Sequence, residues 1–324
     1  MKMYVGCDLG GTNIKVGVVN VETGEIIEMQ SAPTLAREGH DSVMARMATL
    51  IDKVIEDSGI SKIEIGGVGI GAPGVLDLDR GVVLFLPNLP GTWPNVPLVD
   101  TIAEKVGLPV YILNDVRAIT FGEWKFGAGR GVDTMACFAI GTGIGGGLVI
   151  NGKLHLGING TAGELGHQSI NFNGPKCGCG NYGCVEAYAS GPAIAAAAAK
   201  VVMQGGTTAI GEMINYDLNK ITPQLVYEAA IAGDEVAQDV YRQAGEAIGM
   251  GVANILVAIS ARKVVIGGGV AAAGDLLFDP IRRMVQEHVF VMPKELVEIV
   301  PAELGTDAGI VGTALWASVH GYQD

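Results

Sequence analysis

The chain has 324 residues, 49% hydrophobic and only 17% charged, enough apolar material for one large core or two ordinary ones. Thirty-four acidic against 21 basic residues give a net charge of −13, and no Lys/Arg cluster is longer than Arg282-Arg283, which argues against a nucleic-acid partner. The apolar stretch Ala193 to Met203 is too short to span a membrane, and no stretch of roughly 18 uncharged apolar residues stands apart from the Gly-rich strand-turn patterns. Asp8 with Gly10-Gly11 interrupts any signal-peptide core, so a cytoplasmic protein without membrane attachment is expected.

Glycine numbers 49, about double its ordinary share of roughly 7%. The glycines cluster after apolar runs, where tight turns and close backbone approach to a ligand require a missing Cβ. In chain order, strands are expected at 3–9, 14–19 and 25–30, joined by turns short enough for an antiparallel meander. Val43, Met47, Leu50, Ile51, Val54 and Ile55 recur at helical spacing and predict a helix over 42–58. A strand over 63–70 leads into Gly71-Ala72-Pro73-Gly74. Then follow a helix over 97–106, a strand over 110–113 and a helix over 116–126.

After Gly127-Ala128-Gly129-Arg130-Gly131 the opening pattern begins again, with strands at 134–140 and 145–151 around Gly141-Thr142-Gly143. A strand–Gly-Thr turn–strand unit near residue 10 and again near 142 points to two lobes facing each other over a cleft. The rest is mainly helical, at 192–203, 222–231, 234–259, 275–288 and 308–319, with strands at 263–266 and 297–300.

Four segments carry candidate chemistry. In Asp8-Leu9-Gly10-Gly11-Thr12-Asn13, the glycines let backbone N–H groups and the Thr12 hydroxyl face phosphate oxygens, and Asp8 can hold Mg²⁺. A plain Gly-Gly hairpin is the competing reading. Gly141-Thr142-Gly143-Ile144-Gly145-Gly146-Gly147 offers a second phosphate turn; it is neither a Walker A loop nor a dinucleotide fingerprint, because no Gly-Lys-Ser/Thr closes it and a strand follows. Asp115, between a strand and a helix, suits the acceptor of a hydroxyl proton in phosphoryl transfer, and equally suits a helix cap.

The fourth segment joins Glu164-Leu165-Gly166-His167 to Cys177, Cys179 and Cys184. One His and three Cys match a tetrahedral, structural zinc, against a disulfide or free thiols. Cys7 and Cys137 sit alone in strand-like runs and read as core residues. Glu164 and Glu186 flank the knot, as acceptors for sugar hydroxyls or as a solvated pair.

Together and in this order, these motifs resemble the ROK family of sugar kinases and regulators over nearly the whole chain, Gly69-Ile70-Gly71-Ala72-Pro73-Gly74 and Leu113-Asn114-Asp115 included. The resemblance implies an α/β actin-like ATPase (ribonuclease H-like) fold of two lobes with a central cleft. One lobe is expected over 1–115 with the C-terminal helix at about 306–324, and a larger one over 116–305 with the zinc loop. It implies ATP-dependent phosphorylation of a hexose 6-hydroxyl, glucose foremost, with ATP, Mg²⁺ and structural Zn²⁺. Asp115 becomes the base, with Asn88, Asn114, Glu164, His167 and Glu186 around the sugar. His167 would use one ring nitrogen for zinc and the other for a hydroxyl. Gly10, Gly11, Thr12, Asn13, Gly141, Thr142 and Gly143 would meet phosphates, and Gly267, Gly268 and Gly269 the adenosine. A homodimer or homotetramer is implied.

Asn13 departs from the Lys of many relatives, and Lys15, two residues along the strand, is not its automatic substitute. Three alternatives stay open. One is a kinase for mannose, N-acetylglucosamine or N-acetylmannosamine. Another is a non-catalytic sugar-responsive regulator, for which the phosphate motif at Asp8 leaves no preceding DNA-binding domain. The third is a zinc-ribbon module, against which Cys177-x-Cys179 lacks the Cys-x-x-Cys spacing.

Overall fold

The computed structural model describes residues 2–86, 89–91 and 93–321. In chain order it contains β1 (Met3–Leu9), β2 (Asn13–Asn20), β3 (Glu25–Pro33), α1 (His40–Asp57), β4 (Ile65–Ala72), β5 (Val75–Asp77), β6 (Val82–Phe85), α2 (Leu98–Val106), β7 (Val110–Asn114) and α3 (Asp115–Phe126). Then come β8 (Met135–Ile140), β9 (Ile144–Ile150), β10 (Lys153–Leu154), α4 (Glu186–Ala189), α5 (Gly191–Met203), α6 (Ala209–Met213), α7 (Pro223–Ile231) and α8 (Glu235–Ile259). β11 (Lys263–Gly267), α9 (Asp275–His288), β12 (Glu298–Pro301) and α10 (Ala308–His320) complete the chain. The elements expected from periodicity recur with ends shifted by at most about three residues. The β5–β6 hairpin and the short α4 and α6 lacked enough sequence to show a period.

The chain forms two compact units. The first comprises Met1–Gly131, Gly152–Gly163 and Glu303–Asp324; the second comprises Val132–Asn151 and Glu164–Ala302.

The sheet of the first unit runs β3-β2-β1-β4-β7. The expected meander is there, β1–β2 and β2–β3 pairing antiparallel, while β4 and β7 extend the sheet in parallel from β1. β1 is buried along almost its whole length, as a strand covered on both faces must be, whereas edge strand β3 alternates between half-buried and exposed. α1 turns Val43, Met47, Ile51 and Val54 into this core.

The closest packing in this unit is between sheet and α10. A Cβ on Gly6 would lie 1.9 Å from the Ile310 carbonyl oxygen, and one on Gly69 would lie 1.8 Å from that of Thr313. Glycine in a strand interior is otherwise unfavourable, so these two serve a backbone approach that no other residue permits. Gly312 of α10 stands in the same relation to α3, its absent Cβ 1.8 Å from the Ala118 carbonyl oxygen. α10 thereby holds β1, β4 and α3 in fixed register, and these elements carry Asp8 and Gly71 near the ends of β1 and β4 and Asp115 at the start of α3.

In the second unit β9, β8, β11 and β12 lie side by side in that order. β8–β9 is antiparallel, and β11 joins β8 and β12 in parallel. Phe138, Ile140, Val264 and Ile266 from the strands pack with Ile248, Val252 and Leu256 of α8. Asp234 caps α8 by accepting the Ala237 N–H at 2.8 Å. Each unit therefore carries an antiparallel hairpin whose first strand pairs in parallel with a later one, the repetition visible in the sequence.

Candidate active site and metal cluster

In the first unit the candidate residues gather at the C-terminal ends of β1, β4 and β7. The turn after β1 closes on itself, the Gly10 N–H reaching the Asn13 carbonyl at 3.0 Å. Thr34, fully buried, braces it from outside: its hydroxyl donates to the Gly10 carbonyl at 2.6 Å and its N–H to the Thr12 carbonyl at 2.8 Å. Gly11, Thr12 and Asn13 stay exposed on this braced turn. That is the arrangement a phosphate cradle requires, with rigid backbone and donors open to a ligand.

Asp8 sits at the end of β1 opposite Lys15 of β2 and against Gly309 in the first turn of α10. Burial pushes its carboxyl up to about 6; the negative charge of Asp115 adds to the rise, and Lys15 opposes it. Two carboxylates influencing each other in a partly buried site are short of positive charge, and oxygen donors of this kind fit a divalent cation such as Mg²⁺. Lys15 Nζ also reaches the Thr306 carbonyl at 3.5 Å.

Asp115 opens α3, and the cap itself is Asn114, whose Oδ1 accepts from the N–H groups of Val116 at 3.1 Å and Arg117 at 3.3 Å. Asp115 Oδ1 also accepts the Val116 N–H at 2.9 Å. Gly71 passes beside the Asp115 backbone, and Asn114 Nδ2 donates to the Gly74 carbonyl at 3.4 Å. The 69–74 motif and Asn114-Asp115, 40 residues apart in sequence, thus form one constellation.

In the second unit the turn between β8 and β9 is closed by the Gly141 N–H on the Gly143 carbonyl at 2.9 Å. Gly191 at the start of α5 donates to the Gly141 carbonyl at 2.8 Å, and Thr142 is exposed. Gly268 packs against the end of β8, its absent Cβ 2.3 Å from the Ile140 carbonyl oxygen. The Gly267–Gly269 segment and the Gly141–Gly143 turn are therefore neighbours.

His167, Cys177, Cys179 and Cys184 place their ligand atoms within 4.8 Å of one another. Cys177 Sγ lies 3.6 Å from His167 Nδ1, and the Cys179 and Cys184 sulfurs are 3.7 Å apart. A tetrahedral ion with bonds of about 2.3 Å to sulfur and about 2.0 Å to nitrogen requires separations of about 3.5 Å between sulfur and nitrogen and about 3.8 Å between sulfurs. The donor set fits zinc in type and spacing. None of the five cysteines forms a disulfide, and Cys7 and Cys137 are buried in the strands where the core reading put them.

Glu186 connects this cluster to the glycine turn. Its Oε2 accepts the Ile144 N–H at 2.9 Å, while its Oε1 lies 3.5 Å from Cys177 Sγ and 4.0 Å from His167 Nδ1. Gly166 is held against β9, its absent Cβ 2.0 Å from the Ile144 carbonyl oxygen, which explains the glycine in Glu-x-Gly-His. Glu164, exposed, stands at the start of that turn, its carbonyl accepting the His167 N–H at 3.0 Å.

The profile of the ROK family matches residues 4–319. The chain belongs to the ROK family. It is 38% identical to a glucokinase of Thermotoga maritima over 96% of this chain and 95% of that one. It superposes with a TM-score of 0.83 on a ROK family glucokinase of Streptomyces griseus, solved with glucose and AMPPNP, at 35% identity over 98% and 99% of the two chains. A xylose repressor of Caldicellulosiruptor bescii is 33% identical over 95% of this chain and 76% of the repressor. The fold is the α/β actin-like ATPase fold of ROK kinases. No helix among the described residues is long and apolar enough to cross a membrane.

Of the ROK candidates, Asn88 lies outside the described residues. Asp8, Asn114 and Asp115 meet in the first unit. His167, Glu186, the cysteines and the glycine turns meet in the second. Sequence reading missed Thr34 and Arg117: a lone Thr after a strand and an Arg inside a helix carry no local signal, and their partners are set only by tertiary folding.

Proposed function

We propose that this ROK protein is an ATP-dependent hexose kinase that phosphorylates the 6-hydroxyl of glucose. The observation that carries the reading is Asp115 at the head of α3, its backbone pinned by the Asn114 cap. A carboxylate on such a support suits a base that must be aligned rather than reactive. Its task is to take the 6-hydroxyl proton as the oxygen bonds to the γ-phosphorus and the bond from that phosphorus to the β,γ-bridging oxygen breaks, ADP leaving. Such a base is worth about 10²–10⁴ in rate.

In this reading Asn88, Asn114, Glu164, His167 and Glu186 orient the sugar. His167 turns Nδ1 toward the thiols, which leaves Nε2 for a hydroxyl. The Cys₃His set holds a structural zinc, which fixes the ring and the chain around it and leaves no ligand position for an activated water. Gly10, Gly11, Thr12, Asn13, Gly141, Thr142 and Gly143 cradle the phosphates, with Gly268 and Gly269 at the adenosine. Asp8 holds Mg²⁺, which when bound neutralises charge on the transferring phosphates. A cytoplasmic location, with reduced thiols and ATP at hand, and assembly as a homodimer or homotetramer complete the proposal; light scattering tests the assembly.

The likeness to a xylose repressor keeps one competitor, a sugar sensor without turnover. Incubation with MgATP and, in turn, glucose, mannose, N-acetylglucosamine and N-acetylmannosamine separates the readings. The kinase reading expects ATP consumption with glucose and phosphorus NMR coupling to C6. Glucose binding with no ATP-dependent product would overturn it, and faster turnover of another hexose would reassign the substrate.

A further inference from the structure

Arg117 lies two residues past the proposed base and is 2% exposed. A guanidinium with so little water is strongly unfavourable unless its donors meet fixed acceptors. Its Nη1 donates to Asn114 Oδ1 at 2.9 Å, its Nε to the Ala162 carbonyl at 2.9 Å, and its Nη2 to the Thr161 carbonyl at 3.4 Å. One side chain thus joins the cap of the catalytic helix to a backbone segment about 45 residues further on.

The consequence falls on Asn114. Its Oδ1 receives three donors: the Val116 N–H, the Arg117 N–H and the Arg117 guanidinium. A rotated amide would set an NH₂ group against all three, so the orientation is determined by the network. Nδ2 faces the other way, toward the Gly74 carbonyl. Asn114 is therefore committed as a donor, beside an aspartate that acts as an acceptor. Arg117 also holds the backbone at Ala162, two residues before Glu164.

We infer that Arg117 is a positioning residue for sugar binding. It locks the Asn114 amide as a donor to a sugar oxygen and tethers the segment leading into Glu164, without itself touching substrate. The inference rests on the kinase reading for its substrate, so its test includes a readout that needs no turnover.

Arg117→Met, Arg117→Lys and Arg117→Ala are compared with the unmodified protein for KM of glucose, KM of ATP, kcat, glucose affinity by calorimetry and thermal midpoint. A lost charge-assisted hydrogen bond corresponds to about a tenfold effect. The expected result for Arg117→Met is a rise of about tenfold in both the KM and the Kd for glucose, with KM for ATP within about twofold. Arg117→Lys, a single ammonium without the fork, should fall between, and added guanidinium ion should restore glucose affinity in Arg117→Ala. A purely structural role would lower the midpoint and the active fraction while leaving glucose affinity unmoved in the folded protein, and that outcome overturns the inference. Should Arg117→Met not fold, unchanged glucose affinity in folded Arg117→Lys does the same. If the unmodified protein binds glucose but does not turn it over, the kinase reading fails while calorimetry still decides the role of Arg117.

Discussion

Glu186 Oε2 accepts the backbone N–H of Ile144 at 2.9 Å, so a carboxylate from the cysteine-rich segment holds the first residue of β9. Its other oxygen faces the Cys177 thiol. Metal cluster and glycine turn are thus joined through one side chain, and the two oxygens have separable roles.

That separation gives a pair of substitutions with different outcomes. Glu186→Gln keeps an acceptor for Ile144 and should raise the KM for glucose about tenfold or more with little change in KM for ATP. Glu186→Ala strands the N–H, at a cost of about 1–3 kcal/mol, and should raise KM for ATP as well. Steady-state kinetics with each substrate varied would count against the bridge if both variants left KM for ATP unchanged.

Asp8 predicts a pH dependence. Its folded pKa, about 6, is above its ordinary 3.8, because burial and the charge of Asp115 disfavour the carboxylate. The protonated form is thus the one the fold prefers; this contribution is complete below about pH 4 and is lost as pH rises through about 6. The difference is worth up to about 3 kcal/mol. Asp8→Asn should accordingly melt higher than the unmodified protein at pH 8 without Mg²⁺, and no higher at pH 4. Its activity should be lost throughout. Melting curves that differ equally at both pH values would contradict the assignment.

The metal cluster predicts one zinc per chain by elemental analysis. An ion held by these four donors would tie them to the fold, so removal by a strong chelator should lower the thermal midpoint by about 10 °C, reversibly on zinc addition. Glucose affinity should fall with it, since His167 and Glu186 stand on the same segment. A metal-free preparation with full activity would dismiss zinc.

Two glycines distinguish packing from ligand binding. Gly69→Ala drives a Cβ to within 1.8 Å of the Thr313 carbonyl oxygen, an overpacking expected to cost about 3 kcal/mol or more and to leave little soluble protein. Gly141→Ala meets nothing within 4 Å and should fold normally, with any loss confined to KM for ATP. Equal thermal midpoints for the two variants would argue against this division.

Local chemistry was legible in the sequence. His167 and the three cysteines fall within 18 residues, because a metal loop is most readily wrapped by donors close in the chain, and the β1–β2 and β8–β9 hairpins announce themselves through apolar runs around Gly-Thr turns. The Asn114-Asp115 pair was visible as a helix cap or as the seat of a base; Asn114 is the cap, and Asp115 is the first residue of α3. What only the tertiary structure decided lies between distant segments. Thr34 braces the turn at Gly10, Arg117 reaches Ala162, and Gly6 and Gly69, which sequence reading assigned to strand and motif, exist to admit α10 from the far end of the chain. Periodicity and spacing record what a residue does with its neighbours in sequence. A close backbone approach across some 300 residues leaves a glycine and no other trace.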